Sequence, residues 1–242
     1  MSAAERRLKR RLAVVTGANR GIGFEIARAL ALAGCDLVLT ARDANTLTKA
    51  ARKIEKPGVR VLAQSCDVRS PESVDHLFQL VRSLRRPLDF LINNAGIAHA
   101  KRNVAELPYP TWMDVIDTNL TGTFLVTQAA LAVMRKGSAI VNNLSIAAER
   151  DFPGSAAYNA SKHGALGFTG TLREELRPKG IRVIALLPGP TDTDIWNTLW
   201  PQAPRRKMMS AQTVAQAVVN ALLLPDNSLV EKLVIAPAVG AL

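Results

Sequence analysis

The sequence predicts an α/β protein: one doubly wound parallel sheet of seven strands with helices on both faces. Three observations carry that prediction. Short apolar runs alternate with longer segments of helical character from end to end. The 242 residues are 48% hydrophobic and 21% charged, enough for a sizeable core and too apolar for a disordered polyelectrolyte. No composition shift, repeat or low-complexity linker divides the chain, so a basic tail over residues 1–11 is expected to lead into a single domain over residues 12–242.

The elements follow in order. A first strand, Leu12–Thr16, runs through a glycine-rich turn into a helix, Ile22–Ala33, which Gly34 stops. Asp36–Thr40 is the second strand, and Asp43 stands where an N-cap for a helix over Ala44–Ile54 belongs. Val59–Gln64 is the third strand. Ser70 followed by Pro71 reads as an N-cap with proline at the first helical position, opening Pro71–Leu84. Strands Leu88–Ile92, Ala139–Leu144 and Arg182–Leu187 then alternate with helices Thr111–Met134 and Ala156–Leu176, the latter ended by Pro178 and Gly180. A helix over Ala211–Leu223 and a strand over Lys232–Ile235 complete the count.

Composition excludes several classes. No apolar stretch approaches the roughly 18 uninterrupted positions of a membrane span. Cys35 and Cys66 are too few for a disulfide framework and sit in apolar runs, which fits a reducing, cytoplasmic setting. The formal charge of +11 is diffuse. Residues 1–12 carry a net +4 of it, and Arg52/Lys53/Lys56, Arg82/Arg85/Arg86 and Arg205/Arg206/Lys207 form further small groups without any nucleic-acid-binding signature.

The turn Thr16-Gly17-Ala18-Asn19-Arg20-Gly21-Ile22-Gly23 lies between strand and helix, where glycines let backbone approach a pyrophosphate and the helix N-terminus offers unpaired N–H donors. The second strand ends Thr40-Ala41-Arg42-Asp43. An arginine there, with Arg20 in the turn, favours a 2′-phosphate; Asp43 keeps the unphosphorylated dinucleotide open. Later, Tyr158 and Lys162 stand four apart on one helix and share a face, so an ammonium lies within reach of a phenol whose ordinary pKa is about 10. Such a pair, with Ser145 upstream, suits proton transfer to a carbonyl oxygen that receives hydride.

Together these motifs resemble the short-chain dehydrogenase/reductase family, of the carbonyl reductase and 3-oxoacyl-carrier-protein reductase kind, over essentially the whole chain. The resemblance rests on Thr16 to Gly23, Asp67-Val68, Asn93-Asn94-Ala95-Gly96, Asn119 in Asn-Leu-Thr-Gly, Ser145 thirteen residues before Tyr158, Lys162, and Pro188-Gly189. It implies a Rossmann-type domain and a catalytic set of Asn119, Ser145, Tyr158 and Lys162. Tyr158 would be the acid/base and Ser145 the partner of the substrate carbonyl. Lys162 would hold the nicotinamide ribose and lower the Tyr158 pKa, and Asn119 would hold a water that links Lys162 to solvent. It also implies cofactor contacts from Gly17, Asn19, Arg20, Gly21, Ile22, Gly23, Arg42, Asp67, Val68, Asn93, Ala95, Gly96, Pro188, Gly189, Thr191 and Thr193, with NADPH/NADP+ as the cofactor and no metal.

The family's variable cap falls at about residues 191–210. Trp196 and Trp200, four apart there, suit one helical face turned toward the cleft; packing in a core or a subunit contact fits them as well. With Ser145, Ala147 and Tyr158 they form the expected substrate surface, for an apolar or aromatic carbonyl compound. Arg205, Arg206 and Lys207 read either as an attraction for anions or as a solvated hinge. His99, just past the Asn-Asn-Ala-Gly motif, reads either as a residue lining the pocket or, as is commoner for a lone loop histidine, as a surface one. The expected activity is NADPH-dependent reduction of a ketone or aldehyde. Its rivals are an NAD(P)-dependent alcohol or steroid-type dehydrogenase working oxidatively and a non-catalytic dinucleotide- or nucleic-acid-binding module. A homo-oligomer, dimer or tetramer, is implied by resemblance, with no nucleic acid or membrane partner.

Overall fold

The structure, a computed structural model, describes residues 8–225 and 227–240. Most of the predicted basic tail lies outside them. Its last part is anchored: Leu8 is buried in the core, the Arg11 guanidinium meets Asp89 at 2.6 Å, and the Leu12 amide donates to the same carboxylate at 2.8 Å.

Seven parallel strands form the sheet in the order β3-β2-β1-β4-β5-β6-β7. They are β1 (Leu12–Thr16), β2 (Asp36–Ala41), β3 (Val61–Ser65), β4 (Leu88–Asn93), β5 (Met134–Asn143), β6 (Arg182–Pro188) and β7 (Lys232–Ile235). β1, β4 and β6 are buried along their whole length, as expected of strands covered on both faces. Helices α1 (Gly21–Leu32), α2 (Ala44–Ile54) and α8 (Ala211–Leu222) contribute to a core on one face. On the other, residues of α3 (Pro71–Ser83), α5 (Gly122–Leu131) and α6 (Ala156–Leu176) do the same. Strand order reverses between β1 and β4, which opens a crevice at their carboxyl ends.

Local signals behave as their chemistry requires. Ser70 accepts from the Ser73 amide at 3.1 Å with Pro71 beginning α3, and Asp43 accepts from the Thr46 amide at 2.6 Å to cap α2. Gly34 and Gly180 take φ of 88° and 68°, the left-handed conformation that ends a helix.

Three expectations are corrected. The helix expected over residues 111–134 is α4 (Tyr109–Ile116), a π-helical turn (Asp117–Thr121) and α5. Thr118 and Thr123 hydroxyls each bond the carbonyl four residues earlier, while the Asn119 side chain is drawn to Ile97. The fifth strand begins at Met134, not Ala139: Met134 pairs with Leu88, the ladder shifts register, and it resumes at Ala139 opposite Phe90. Gly137, at φ 88°, lies within the shift, where polar residues hide the strand in the sequence. β3 starts two residues later than expected: the Val59 amide closes the preceding turn on the Lys56 carbonyl, and the Arg60 amide donates to the Asp36 carboxylate.

Candidate active site

The glycine turn leaves β1 at the crevice. Gly17 and Gly21 have φ of 63° and 59°, which side chains rarely adopt. A Cβ on Gly23 would lie 2.2 Å from Asn94 Nδ2 and 2.5 Å from the Gly17 carbonyl, so only glycine fits there. Arg20 precedes α1 in extended conformation and provides no side-chain cap, leaving the helix N-terminus available to an anion. The turn is thus shaped for a phosphate group. Beside it a cavity of about 340 Å³ is bordered by Gly21, Thr193 and Asp194.

The turn is fixed from across the crevice by Asn94, whose Nδ2 donates to the Thr16 and Gly17 carbonyls at 2.9 and 3.1 Å. The Thr16 hydroxyl accepts from the Asn94 and Ala95 amides. Of the two adjacent asparagines, Asn93 is the one from which the resemblance implies a cofactor contact, through the backbone; its side chain turns inward, donating to Thr127 and Asn142.

At the end of β2, Arg42 is exposed, and Asn19 donates to Thr46 in the α2 cap. Arg20 extends across the cleft to Asp194, 3.6 Å away, both side chains well exposed. Asp67 is engaged by Arg69 in a two-pronged pair, whose hydrogen bonds hold its carboxyl below the usual range. Val68 is buried against Gly122, where a Cβ would meet it at 2.6 Å.

Tyr158 and Lys162 lie on α6 as the spacing predicts, both largely buried, with Lys162 Nζ 5.6 Å from the Tyr158 ring centroid. Burial pushes the phenol pKa up, and hydrogen bonding with Ser145 pulls it back in part. The net direction in the chain alone is thus upward, whereas the resemblance implies a lowered phenol. Lys162 is itself buried, which brings its pKa down from 10.5 to about 8, and its ammonium donates to the Asn143 carbonyl at 3.1 Å. Ser145 Oγ accepts from the Ala147 amide at 3.1 Å, which leaves its proton free to donate.

Asn119 stands in the π-helical turn. Its Oδ1 accepts from the Ile97 amide at 2.8 Å, and its Nδ2 donates to the Ile97 carbonyl and to Ser161 Oγ. Ser161 Oγ donates to the Tyr158 carbonyl at 2.7 Å. The Asn119 amide therefore ties the segment after β4 to the catalytic helix. Asn159 holds the loop before that helix through Ala147 O and Arg150 O.

Tyr158 forms an apolar cluster with Val115, Ala147 and Ala157, against which Ile97, Leu107, Trp112 and Ile195 pack. Sequence reasoning missed Trp112 and Val115. They come from α4, and nothing local in the chain signals that contact. In the cap, α7 spans only Ile195–Leu199, so Trp196 and Trp200 do not share one helical face. The Trp196 indole N–H donates to the Thr191 carbonyl at 2.9 Å, and Lys101 lies over the Trp200 ring at 4.8 Å. His99 is buried, 4% exposed, contrary to a surface histidine, with Nδ1 against the Ala100 carbonyl.

Arg205 is neither a free cation nor a hinge. Its guanidinium reaches Asp192 Oδ1 at 2.7 Å, the Thr193 carbonyl at 2.6 Å and Asn197 Oδ1 at 2.8 Å, fastening the start of the cap. Pro188 ends β6, and the Gly189 amide donates to Ile235. Thr191 is buried with its hydroxyl on the Gly189 carbonyl, and Thr193 comes within about 3.4 Å of where a Gly21 side chain would stand.

A nucleotide-shaped turn and a Ser, Tyr and Lys set at the carboxyl edge of such a sheet define a dinucleotide-dependent oxidoreductase. The short chain dehydrogenase profile matches residues 11–204, and the chain belongs to that family. It is 36% identical to a 3-oxoacyl-[acyl-carrier-protein] reductase of a Synechocystis species over 79% of this chain and 78% of that one. Among solved structures it resembles an alcohol dehydrogenase from the archaeon Thermococcus sibiricus complexed with 5-hydroxy-NADP. The TM-score is 0.89, at 30% identity over 97% and 99% of the two chains. It also resembles a 3-ketoacyl-(acyl-carrier-protein) reductase from Brucella melitensis complexed with NADH. There the TM-score is 0.84, at 25% identity over 96% and 98%.

Proposed function

We propose that the chain reduces a ketone or aldehyde to an alcohol with NADPH, Tyr158 donating the proton. The observation that carries this reading is the buried Tyr158 phenol, held protonated at neutral pH, next to Ser145 and inside an apolar cluster. A group meant to give up a proton must hold it beforehand. Bound NADPH supplies hydride to the carbonyl carbon. Ser145 donates a hydrogen bond to the carbonyl oxygen, Tyr158 passes its proton to that oxygen as charge develops, and Lys162 stabilises the phenolate left behind.

The turn from Gly17 to Gly23 with Thr193 would hold the pyrophosphate, and Arg42 with Arg20 the 2′-phosphate. Arg20 would exchange Asp194 for it, a small sacrifice because an exposed pair at 3.6 Å contributes little. Asp67, Val68, Asn93, Ala95, Gly96, Pro188, Gly189 and Thr191 would complete the cofactor site through side chain or backbone. Ala147, Ile195 and Trp112 would face an apolar substrate. The two buried free cysteines support a reducing compartment such as the cytoplasm.

Replacing Tyr158 by Phe should abolish reduction across a panel of ketones, aldehydes, quinones and β-ketoacyl thioesters while NADPH still binds. Retention of most of the activity overturns the assignment. A second reading, oxidation of an alcohol, is supported by the likeness to the archaeal alcohol dehydrogenase. Initial rates in both directions at neutral pH separate the two.

Self-association is also proposed. On α5 and α6, Phe124 is 43% exposed and meets Phe168 edge to face at 6.1 Å, beside the exposed glycines Gly164 and Gly167. A small-residue strip flanked by aromatic rings suits close helix approach in a dimer or tetramer.

A further inference from the structure

Asn143 closes β5, and its two polar groups reach opposite parts of the site. Its Nδ2 donates to Asn94 Oδ1 at 2.8 Å, and Asn94 Nδ2 donates onward to the Thr16 and Gly17 carbonyls. Its backbone carbonyl accepts the Lys162 ammonium at 3.1 Å. A continuous chain of bonds thus runs along the carboxyl edge of the sheet from the glycine turn of β1, past β4, to the lysine on α6.

Chemistry fixes the direction of each amide. Asn94 presents its NH2 to two carbonyls, which only accept, so its oxygen must face Asn143, and Asn143 must answer with its own NH2. That orientation leaves Asn143 Oδ1 buried and without a partner among the described residues. An aliphatic side chain of similar size would bury no orphan acceptor, so what the amide contributes is its donor side. Asn94, in turn, is pressed against the turn: a Cβ on Gly17 would stand 3.0 Å from its Nδ2, and one on Gly23 only 2.2 Å. Movement of Asn94 therefore has to move the turn.

We propose that Asn143 is a positioning residue that sets the dinucleotide-binding turn and Lys162 in one register. Through its side chain it fixes where the pyrophosphate would be received, and through its carbonyl it fixes where the ammonium stands. The proposal rests on the reductase reading of the site, since the register matters only if the lysine serves a bound dinucleotide.

The test compares Asn143→Leu, Asn143→Thr, Asn94→Leu and the Asn94→Leu/Asn143→Leu double variant. NADPH affinity is read by cofactor fluorescence without any substrate, and kcat and KM are read on a carbonyl compound that the unmodified chain turns over. Asn143→Leu should raise the NADPH Kd five- to thirtyfold and lower kcat at saturating NADPH at least fivefold. In the Asn94→Leu background the same change should add less than twofold, because the clasp is already broken. Asn143→Thr keeps a hydroxyl donor and a residue suited to strand; it should lie between and serves as the readout if the leucine variant does not fold. A fall in melting temperature with Kd and kcat both within twofold overturns the proposal, as does full multiplication of the two single effects. The affinity measurement needs no turnover, so it stands apart from the Tyr158→Phe result that decides the reductase reading.

Discussion

Lys162 stands 5.6 Å from the Tyr158 ring centroid while its ammonium bonds to the Asn143 carbonyl, so one buried cation serves both the phenol and the strand edge. Its pKa of about 8 gives it a pH signature with two opposite parts. Between about pH 8 and the ordinary lysine value of 10.5, the unfolded chain holds a proton that the folded chain has released. Stability therefore rises with pH through that window as far as Lys162 is concerned, and at lower pH the folded chain bears the full cost of burying the charge. The reaction runs the other way, since the ammonium that supports the phenolate is lost above about pH 8. Rates of carbonyl reduction should fall on the alkaline side near pH 8. Lys162→Met should remove that limb along with most of the activity, and should raise the melting temperature at pH 7 more than at pH 10.

The cofactor choice depends on Arg42 and Arg20. Arg42→Ala should raise KM for NADPH at least tenfold and leave KM for NADH within about twofold, because a guanidinium bound to a phosphate is replaced by nothing. Arg20→Ala should act in the same direction but less, since Arg20 must first leave Asp194. Steady-state kinetics with both dinucleotides decide it; a native preference for NADH would overturn the 2′-phosphate assignment.

Arg205 offers a test of the cap. Its contacts to Asp192, Thr193 and Asn197 are partly exposed, so Arg205→Met should cost about 1 kcal/mol and lower the melting temperature by about 2–4 °C. The larger effect should fall on binding. With the Thr193 carbonyl released, KM for the cofactor should rise severalfold while kcat changes little. Arg206→Met, one residue along without those contacts, is the control.

What the sequence could and could not reveal follows from the range of each signal. The glycine turn, the caps at Ser70 and Asp43, and the Tyr158–Lys162 spacing are local, and each is realised where the residues stand. The π-helical turn at Asn119 was hidden because its cause is a bond to Ile97, 22 residues away. The start of β5 was hidden because Met134 pairs with Leu88 across a register shift that polar residues disguise. Asn143 was legible only as one residue within the strand expected over Ala139–Leu144, and Arg205 as one of three adjacent cations. Their roles depend on partners that only the fold brings near, and it is likewise the fold that buries the Tyr158 phenol and pushes its pKa up.

Glycines supply the last prediction, because their surroundings differ sharply. Gly23→Ala would drive a methyl group into Asn94 and the Gly17 carbonyl, a backbone atom that cannot step aside, and should cost about 1–3 kcal/mol together with dinucleotide binding. Gly167, on the exposed face of α6, has nothing within 4 Å of its would-be Cβ. In an isolated chain Gly167→Ala should add about 0.5–1 kcal/mol through helix propensity alone. If copies of the chain pack along this face beside Phe124 and Phe168, the same methyl group meets a partner helix and the gain disappears. Gly167→Arg should then reduce the mass seen by light scattering from a multiple of 26.1 kDa to 26.1 kDa itself. A gain in melting temperature for Gly167→Ala, with an unchanged mass for Gly167→Arg, would place any subunit contact elsewhere.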